Sequence, residues 1–177
     1  KLDFLRSAIQ DNRFATIFAY EVENPESYGV VVLDENQNPI QIIEKPKSFI
    51  SKYAIPGLYL FDEDVSIYAG QLEPSSRGEL EITDLQKIYL SQNKLKVKLI
   101  GRGIAWLDTG TSANLLDAAL FIRAIEQRQG RKIACLEEIA LGMKYISKAE
   151  CEKWVNSMPN SDYKNYCIRV LKEVEGY

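Results

Sequence analysis

Apolar residues return with helical spacing at Leu2, Leu5, Ala8 and Ile9, which predicts an opening helix. The pattern then becomes β-like. Ala15 to Val22 is rich in Ile, Phe, Tyr and Val and reads as a strand. Asn24-Pro25-Glu26-Ser27 is a turn, and Val30, Val31 and Val32 run together as in a buried strand. Asp34 to Asn38 breaks that run before Ile40, Ile42 and Ile43 resume it, which predicts a hairpin with a long polar tip. Tyr53 to Phe61 is a further apolar run, interrupted at Pro56-Gly57, where a bulge or an edge position is expected. Asp64 to Leu72 reads as a short helix. Leu80 to Leu90 reads as a second, with Ile82, Leu85, Ile88 and Tyr89 on its apolar face.

Lys94 to Leu99 alternates strictly, as a strand with one wet face does, and Ala105-Trp106-Leu107 reads as a brief strand. Thr111 can cap a helix running to about Arg128 that buries Leu115, Leu116, Ala119, Ile122 and Ile125, and Gly130 ends it. Beyond Gly130 no strand signal remains. Ser147-Lys148-Ala149-Glu150 is a capping box, and Ser161 or Asp162 can cap a last helix whose stripe is Tyr163, Tyr166, Cys167, Val170, Leu171 and Val174. The expected class is therefore α/β, with residues 1–130 mixed and 131–177 a helical annex. The start so close to a helix suggests a segment of something longer.

Composition removes several functions. The 177 residues carry 22 Lys and Arg against 25 Asp and Glu, a balance unsuited to non-specific nucleic-acid binding. No apolar run approaches the ~18 residues of a membrane span, and Lys1-Leu2-Asp3-Phe4 is no signal peptide. Cys135, Cys151 and Cys167 are odd in number and widely spaced, which argues against a disulfide framework or a zinc site and favours a reducing, cytoplasmic compartment. Histidine is absent, so Ser-His-Asp, Cys-His and imidazole-metal chemistry are excluded within these residues. Carboxylates, Lys, Arg, Tyr and backbone groups remain, a set suited to phosphate and Mg²⁺.

Four places could carry such chemistry. Glu44-Lys45-Pro46 ends a strand, and Pro46 keeps Lys45 out of the α region. Lys45 could neutralise a phosphate while Glu44 accepts hydroxyl hydrogen bonds, or the two could form a surface ion pair. Arg77, in Pro74 to Glu79 before a helix, could hold an anion or belong to an ordinary helix entry. Asp108 follows an apolar strand among Thr109, Gly110 and Thr111, where it could be an oxygen ligand for Mg²⁺ or an Asx-turn. Gly29, at a strand start, permits close approach of a ligand or merely follows the turn.

In order, Tyr28-Gly29-Val30, Ile43-Glu44-Lys45-Pro46, Tyr53 to Tyr59, Arg77 to Asp84, Gly101-Arg102-Gly103 and Trp106 to Gly110 resemble the C-terminal portion of sugar-1-phosphate nucleotidylyltransferases. Arg77 to Asp84 and Trp106 to Thr111 point to the thymidylyl branch, which transfers dTMP from dTTP to glucose-1-phosphate. The resemblance implies the C-terminal part of a Rossmann-like, mixed-sheet nucleotidyltransferase domain followed by a helical annex. It implies that Gly29 approaches the sugar, Glu44 binds its hydroxyls and Lys45 its phosphate. Ile55 would touch the sugar through its main chain, Tyr59 would close over the phosphate, Arg77 would help bind it, and Trp106 would pack the pocket. Asp108 would be a Mg²⁺ carboxylate.

The family's nucleotide loop and first metal-binding Asp lie upstream of the matching region. The resemblance therefore implies a fragment, inactive alone, in an intact enzyme that is a homotetramer. Arg102, Glu138 and Ile139 match an allosteric site, where Gly142 stands in place of the usual Arg. A non-catalytic sugar-phosphate-binding or oligomerisation module, and a transferase using another base, remain as alternatives.

Overall fold

The computed structural model describes residues 3–173. Leu2 and Val174, each placed on an apolar helix face by its spacing, lie outside the described residues. The chain divides into two compact units, one up to Trp106 and one from Leu107.

The first unit is a mixed sheet with helices. It comprises α1 (Asp3–Asp11), β1 (Ala15–Glu21), a 3-10 turn (Pro25–Ser27), β2 (Gly29–Leu33) and β3 (Pro39–Glu44). It continues with β4 (Tyr53–Ala54), β5 (Tyr59–Phe61), α2 (Val65–Ala69), α3 (Ile82–Ser91) and β6 (Leu95–Leu99). β1 is the centre. Ala15, Ile17, Phe18 and Ala19 are all buried, as in a strand covered on both faces. β6 runs parallel to β1, with Ala15 opposite Leu95 and Ala19 opposite Leu99.

β5 and β4 pair antiparallel with successive parts of β1. Between the pairs Ile17–Tyr59 and Tyr20–Ala54, three steps along β1 face five along its partner, so residues 55–58 loop out. Pro56, which has no N–H for the ladder, accounts for that interruption. The β2–β3 hairpin forms as its pattern predicts. At its tip the Asp34 carboxylate accepts from the N–H groups of Asn36 at 2.9 Å and Asn38 at 2.7 Å.

Two expectations in this unit are corrected. Residues 105–107 form no strand; Trp106 is held instead by ring contacts with Tyr28 at 4.9 Å and Tyr20 at 5.8 Å. The buried face of α3 consists of Thr83, Leu85, Gln86 and Tyr89, whereas Ile82 is exposed. The helix is rotated so that Thr83 meets the start of β2, where Gly29 leaves room for it.

The second unit is helical: α4 (Ser112–Gln129), α5 (Leu136–Gly142), α6 (Lys148–Ser157) and α7 (Asp162–Glu173). Thr111 caps α4 by accepting from the Asn114 N–H at 3.1 Å, and Gly130 ends it in the left-handed region at φ 64°. The Ser147–Glu150 capping box opens α6, and the Ser161 hydroxyl accepts from the Lys164 N–H at the start of α7. The helix α5 had no clear sequence signal. Its short apolar set contributes Leu141 to a core shared with Cys135, Cys151, Val155, Tyr166, Cys167, Val170 and Leu171. Burial pushes the Cys167 thiol up to about 12, with the neighbouring Cys135 and Glu137 adding to the shift.

The expected burial along α4 is not observed. Only Ala118 is buried, while Leu115 and Leu116 are 57% and 60% exposed. The core of this unit is built by the loop before α5 and by α5 to α7, which leaves the apolar side chains of α4 without cover.

Gly29 provides a test of the packing between α3 and the hairpin. A Cβ at this position would lie 2.8 Å from Thr83 Cγ2 and 3.0 Å from Glu44 Oε2. Gly29→Ala is therefore expected to lower stability in urea unfolding by about 1–3 kcal/mol, the usual cost of overpacking. Adding Thr83→Ser, which removes the obstructing methyl group, should recover part of the loss. An unchanged midpoint for Gly29→Ala would show that the contact relaxes freely.

Candidate functional site

Register brings the first group of residues together. Gly29 opens β2 directly opposite Glu44, the last residue of β3. The next peptide closes the ladder, as the Lys45 N–H donates to the Tyr28 carbonyl at 3.0 Å. Pro46 keeps Lys45 out of the right-handed α region, and the backbone turns into the left-handed region at φ 40°. A non-glycine residue there is strained, and such strain gathers at functional sites. The Lys45 side chain is exposed and has no carboxylate partner within salt-bridge distance among the described residues.

Glu44 pairs with Arg77 rather than with Lys45, at 3.5 Å. Arg77 also grips Glu81 through Nε at 3.1 Å and Nη2 at 2.9 Å, and Glu79 at 3.0 Å. A single guanidinium thus ties the strand end to the turn before α3. The Ser75 hydroxyl donates to Glu81 at 2.7 Å. That hydrogen bond, followed by the Arg77 guanidinium, holds the Glu81 carboxyl below the usual glutamate range, and its side chain is only 9% exposed. Glu81 also lies close enough to Lys45 to feel its charge.

Tyr59 stands beside this group. Burial, followed by the Glu44 charge, raises its hydroxyl above the ordinary tyrosine value. Ile55 is buried, and its N–H donates to the Gly29 carbonyl at 2.8 Å, so any main-chain contact it makes to a ligand uses its carbonyl. Trp106 packs against Tyr28, the residue before Gly29. Arg102 lies in the exposed turn after β6 and lines a groove of about 400 Å³ with Tyr20, Glu21 and Tyr53.

The remaining positions fall in the helical unit. Asp108 is half-buried in the loop before α4, packed closely enough that a Cβ on Gly110 would lie 3.3 Å from its Oδ2. Its carboxylate suits a hard cation, although it joins no group of three ligand atoms among the described residues. Glu138, on α5, takes an ion pair from Arg131 at 3.2 Å and a hydrogen bond from the Tyr166 hydroxyl. Ile139 is exposed, and Gly142 ends the same helix. A cleft of about 360 Å³ beside these helices is lined by Arg131, Lys132 and Arg169. Its cations are already matched, Arg131 and Arg169 by Glu173 and Lys132 by Glu126.

Several contributors lay in or beside the quoted motifs without a role of their own in the sequence reading. Glu81 and Ser75 frame Arg77. Among the described residues the buried Thr83 Oγ1 has no hydrogen-bond partner, and the buried Gln86 amide lies beside the Tyr59 hydroxyl, on the helix face behind Gly29. Leaving a buried hydroxyl such as Thr83 Oγ1 unpaired costs about 1–3 kcal/mol. A polar pair on the buried face of an amphipathic helix was the available signal.

Glu44, Lys45, Arg77 and Tyr59 thus lie together at the end of the β2–β3 hairpin. Residues 2–125 match the family model described as nucleotidyl transferase, and the chain belongs to that family. More particularly, it is 44% identical to glucose-1-phosphate thymidylyltransferase of Neisseria meningitidis serogroup A, over 96% of this chain and 59% of that one. It is 45% identical to the enzyme of the same name from Xanthomonas campestris pv. campestris, over 96% and 58% respectively. The Mycobacterium tuberculosis enzyme matches at 44% over 88% of this chain and 54% of its own. The chain thus spans little more than half the length of these relatives. Among solved structures, a Bacillus anthracis chain of the same name, crystallised with sucrose, superposes with a TM-score of 0.58. It is 35% identical, over 67% of this chain and 47% of that one.

The Arg77–Glu81 clamp makes a pH prediction. A carboxylate whose folded value is depressed stabilises above its unfolded value, about 4.3, and loses that contribution as pH falls through the folded value. The difference in melting temperature between the parent and Glu81→Gln should be full near neutrality and shrink as pH drops below about 4. A difference that stays constant across that range would mean the clamp contributes no charge-dependent stability.

Proposed function

We propose that this chain is the C-terminal, sugar-phosphate-binding portion of a glucose-1-phosphate thymidylyltransferase. The observation that carries the reading is Lys45: an exposed lysine without a carboxylate partner within salt-bridge distance among the described residues, held in a strained backbone beside Glu44 and Gly29. In the reaction a phosphate oxygen of glucose-1-phosphate attacks the α-phosphorus of dTTP, pyrophosphate leaves, and dTDP-glucose forms. No covalent intermediate and no histidine are needed, which agrees with the residues available.

Two anions must meet, so the protein's task is charge compensation and alignment. Lys45 takes the sugar phosphate, and Glu44 accepts hydroxyl hydrogen bonds. Gly29 and the Ile55 carbonyl approach the sugar, Tyr59 closes over the phosphate, and Trp106 with Tyr28 forms the pocket wall. Arg77 helps with the phosphate once it yields one of its three carboxylates; before that it fixes Glu44. Asp108 supplies one carboxylate for Mg²⁺, which when bound would offset phosphate charge during the transfer. The nucleotide side is contributed by sequence outside these residues, and the chain alone is inactive.

Residues 1–130 are assigned to the sugar-phosphate portion and 131–177 to a helical annex for assembly and regulation. The exposed leucines of α4 support burial in a homo-oligomer, a tetramer in the intact enzyme. Arg102, Glu138 and Ile139 carry the regulatory part of the reading. The groove beside Arg102 and the exposed Ile139 leave room for a ligand, whereas Glu138 is already engaged. The buried thiols suit a cytoplasmic location.

Lys45→Ala tests the reading. The chain is joined to the part of the Neisseria relative that it does not cover, and transfer is assayed. The variant is expected to raise KM for glucose-1-phosphate and to cost about 2–4 kcal/mol in kcat/KM, with KM for dTTP nearly unmoved. A change of about 0–1 kcal/mol would make Lys45 an ordinary surface lysine.

A further inference from the structure

Outside the sugar-phosphate site, one side-chain cluster has the composition and spacing of a three-ligand metal site. Cys135 Sγ, a carboxylate oxygen of Glu137 and Cys167 Sγ all lie within 4.8 Å of one another. Both cysteines are buried and neither is in a disulfide. In sequence Cys167 stands far from the other two, which is why spacing alone spoke against a metal. The fold removes that separation by packing α7 against the loop that leads into α5.

We propose that Cys135, Glu137 and Cys167 bind one Zn²⁺ ion through three protein ligands, at a site within the helical unit and independent of the sugar-phosphate surface. The measured edge agrees with tetrahedral zinc. The Cys135 Sγ to Glu137 Oε2 distance is 3.6 Å. Zn–S bonds of about 2.3 Å and Zn–O bonds of about 2.0 Å at the tetrahedral angle put sulfur and oxygen about 3.5 Å apart. The donor set also suits the ion, since two thiolates and one carboxylate favour zinc over a hard cation such as Mg²⁺.

Tyr163 supports the geometry. Its hydroxyl donates to Glu137 and lies 3.4 Å from Cys135 Sγ. It is placed to hydrogen-bond ligand atoms from outside, as groups around metal ligands do, while water fills the fourth position. On binding, each thiol releases its proton to solvent and becomes a zinc thiolate, and the ion's two positive charges offset most of the three ligand charges. Cys151 shares the same apolar core but is not one of the three grouped ligands, so it serves as an internal control.

The test uses the whole chain, purified under a non-thiol reductant, stripped with a chelator and reloaded with ZnCl₂ or CoCl₂. The expected results are one zinc per chain retained after desalting, a rise in melting temperature with zinc, and proton release on loading. Cobalt should give the thiolate charge-transfer bands and strong visible absorption of a tetrahedral site. Cys167→Ser should weaken zinc binding at least 100-fold, and Cys151→Ser should leave it unchanged. Glu137→Gln, at a partly exposed position that threatens the fold less, should also weaken binding and weaken the zinc-dependent rise in melting temperature. No retained zinc, a cobalt spectrum without thiolate bands, or equal binding by the parent and Glu137→Gln would each overturn the proposal.

Discussion

The approach of α3 to the beginning of β2 controls where nearly every group at the strand end can be. Thr83 comes so near the Gly29 backbone that no side chain fits between them. Because Gly29 is paired with Glu44, the same approach confines the Glu44 carboxylate. The turn that leads into α3 carries Arg77, and the guanidinium reaches back to that carboxylate. The close contact and the ion pair are therefore one arrangement: the helix can settle here only with a glycine at position 29, and once settled it brings its charged entry turn to the end of the hairpin.

Charge is distributed unevenly over that turn. Arg77 is surrounded by Glu44, Glu79 and Glu81, so its positive charge is more than matched locally. Lys45 has no such partner among the described residues. A phosphate approaching this surface meets attraction at Lys45 and a self-satisfied network at Arg77. Under the proposed function, the lysine receives the anion while the arginine holds Glu44 in place. The Gln86 amide and Thr83 hydroxyl behind them are buried polar groups on a helix face that otherwise packs as core.

Much of the local structure was legible because its cause is local. The turn residues from Asp34 to Asn38 gave the hairpin, Thr111 and Gly130 bounded α4, and the Ser147–Glu150 pair opened α6. Features settled by distant partners were not. Periodicity favours Ile82 over Thr83 as a buried residue, and only the glycine on another strand reverses that preference. The leucines of α4 read as core because apolar spacing reports an amphipathic face without saying what covers it. Arg77 was visible as a cation, but its carboxylates come from a strand end and from the segment between its own turn and α3. Cys135 and Cys167 are joined only by the packing of α7.

The central claim is that the surface formed by Gly29, Glu44 and Lys45 receives a sugar phosphate. The most direct measurement is a titration of the isotopically labelled chain with glucose-1-phosphate, followed through its assigned backbone amide resonances. The account predicts saturable shifts concentrated at Gly29, Glu44 and Lys45, with little change in α5 to α7. Shifts confined to the cleft of Arg131, Lys132 and Arg169, with Gly29 and Lys45 unmoved, would contradict it.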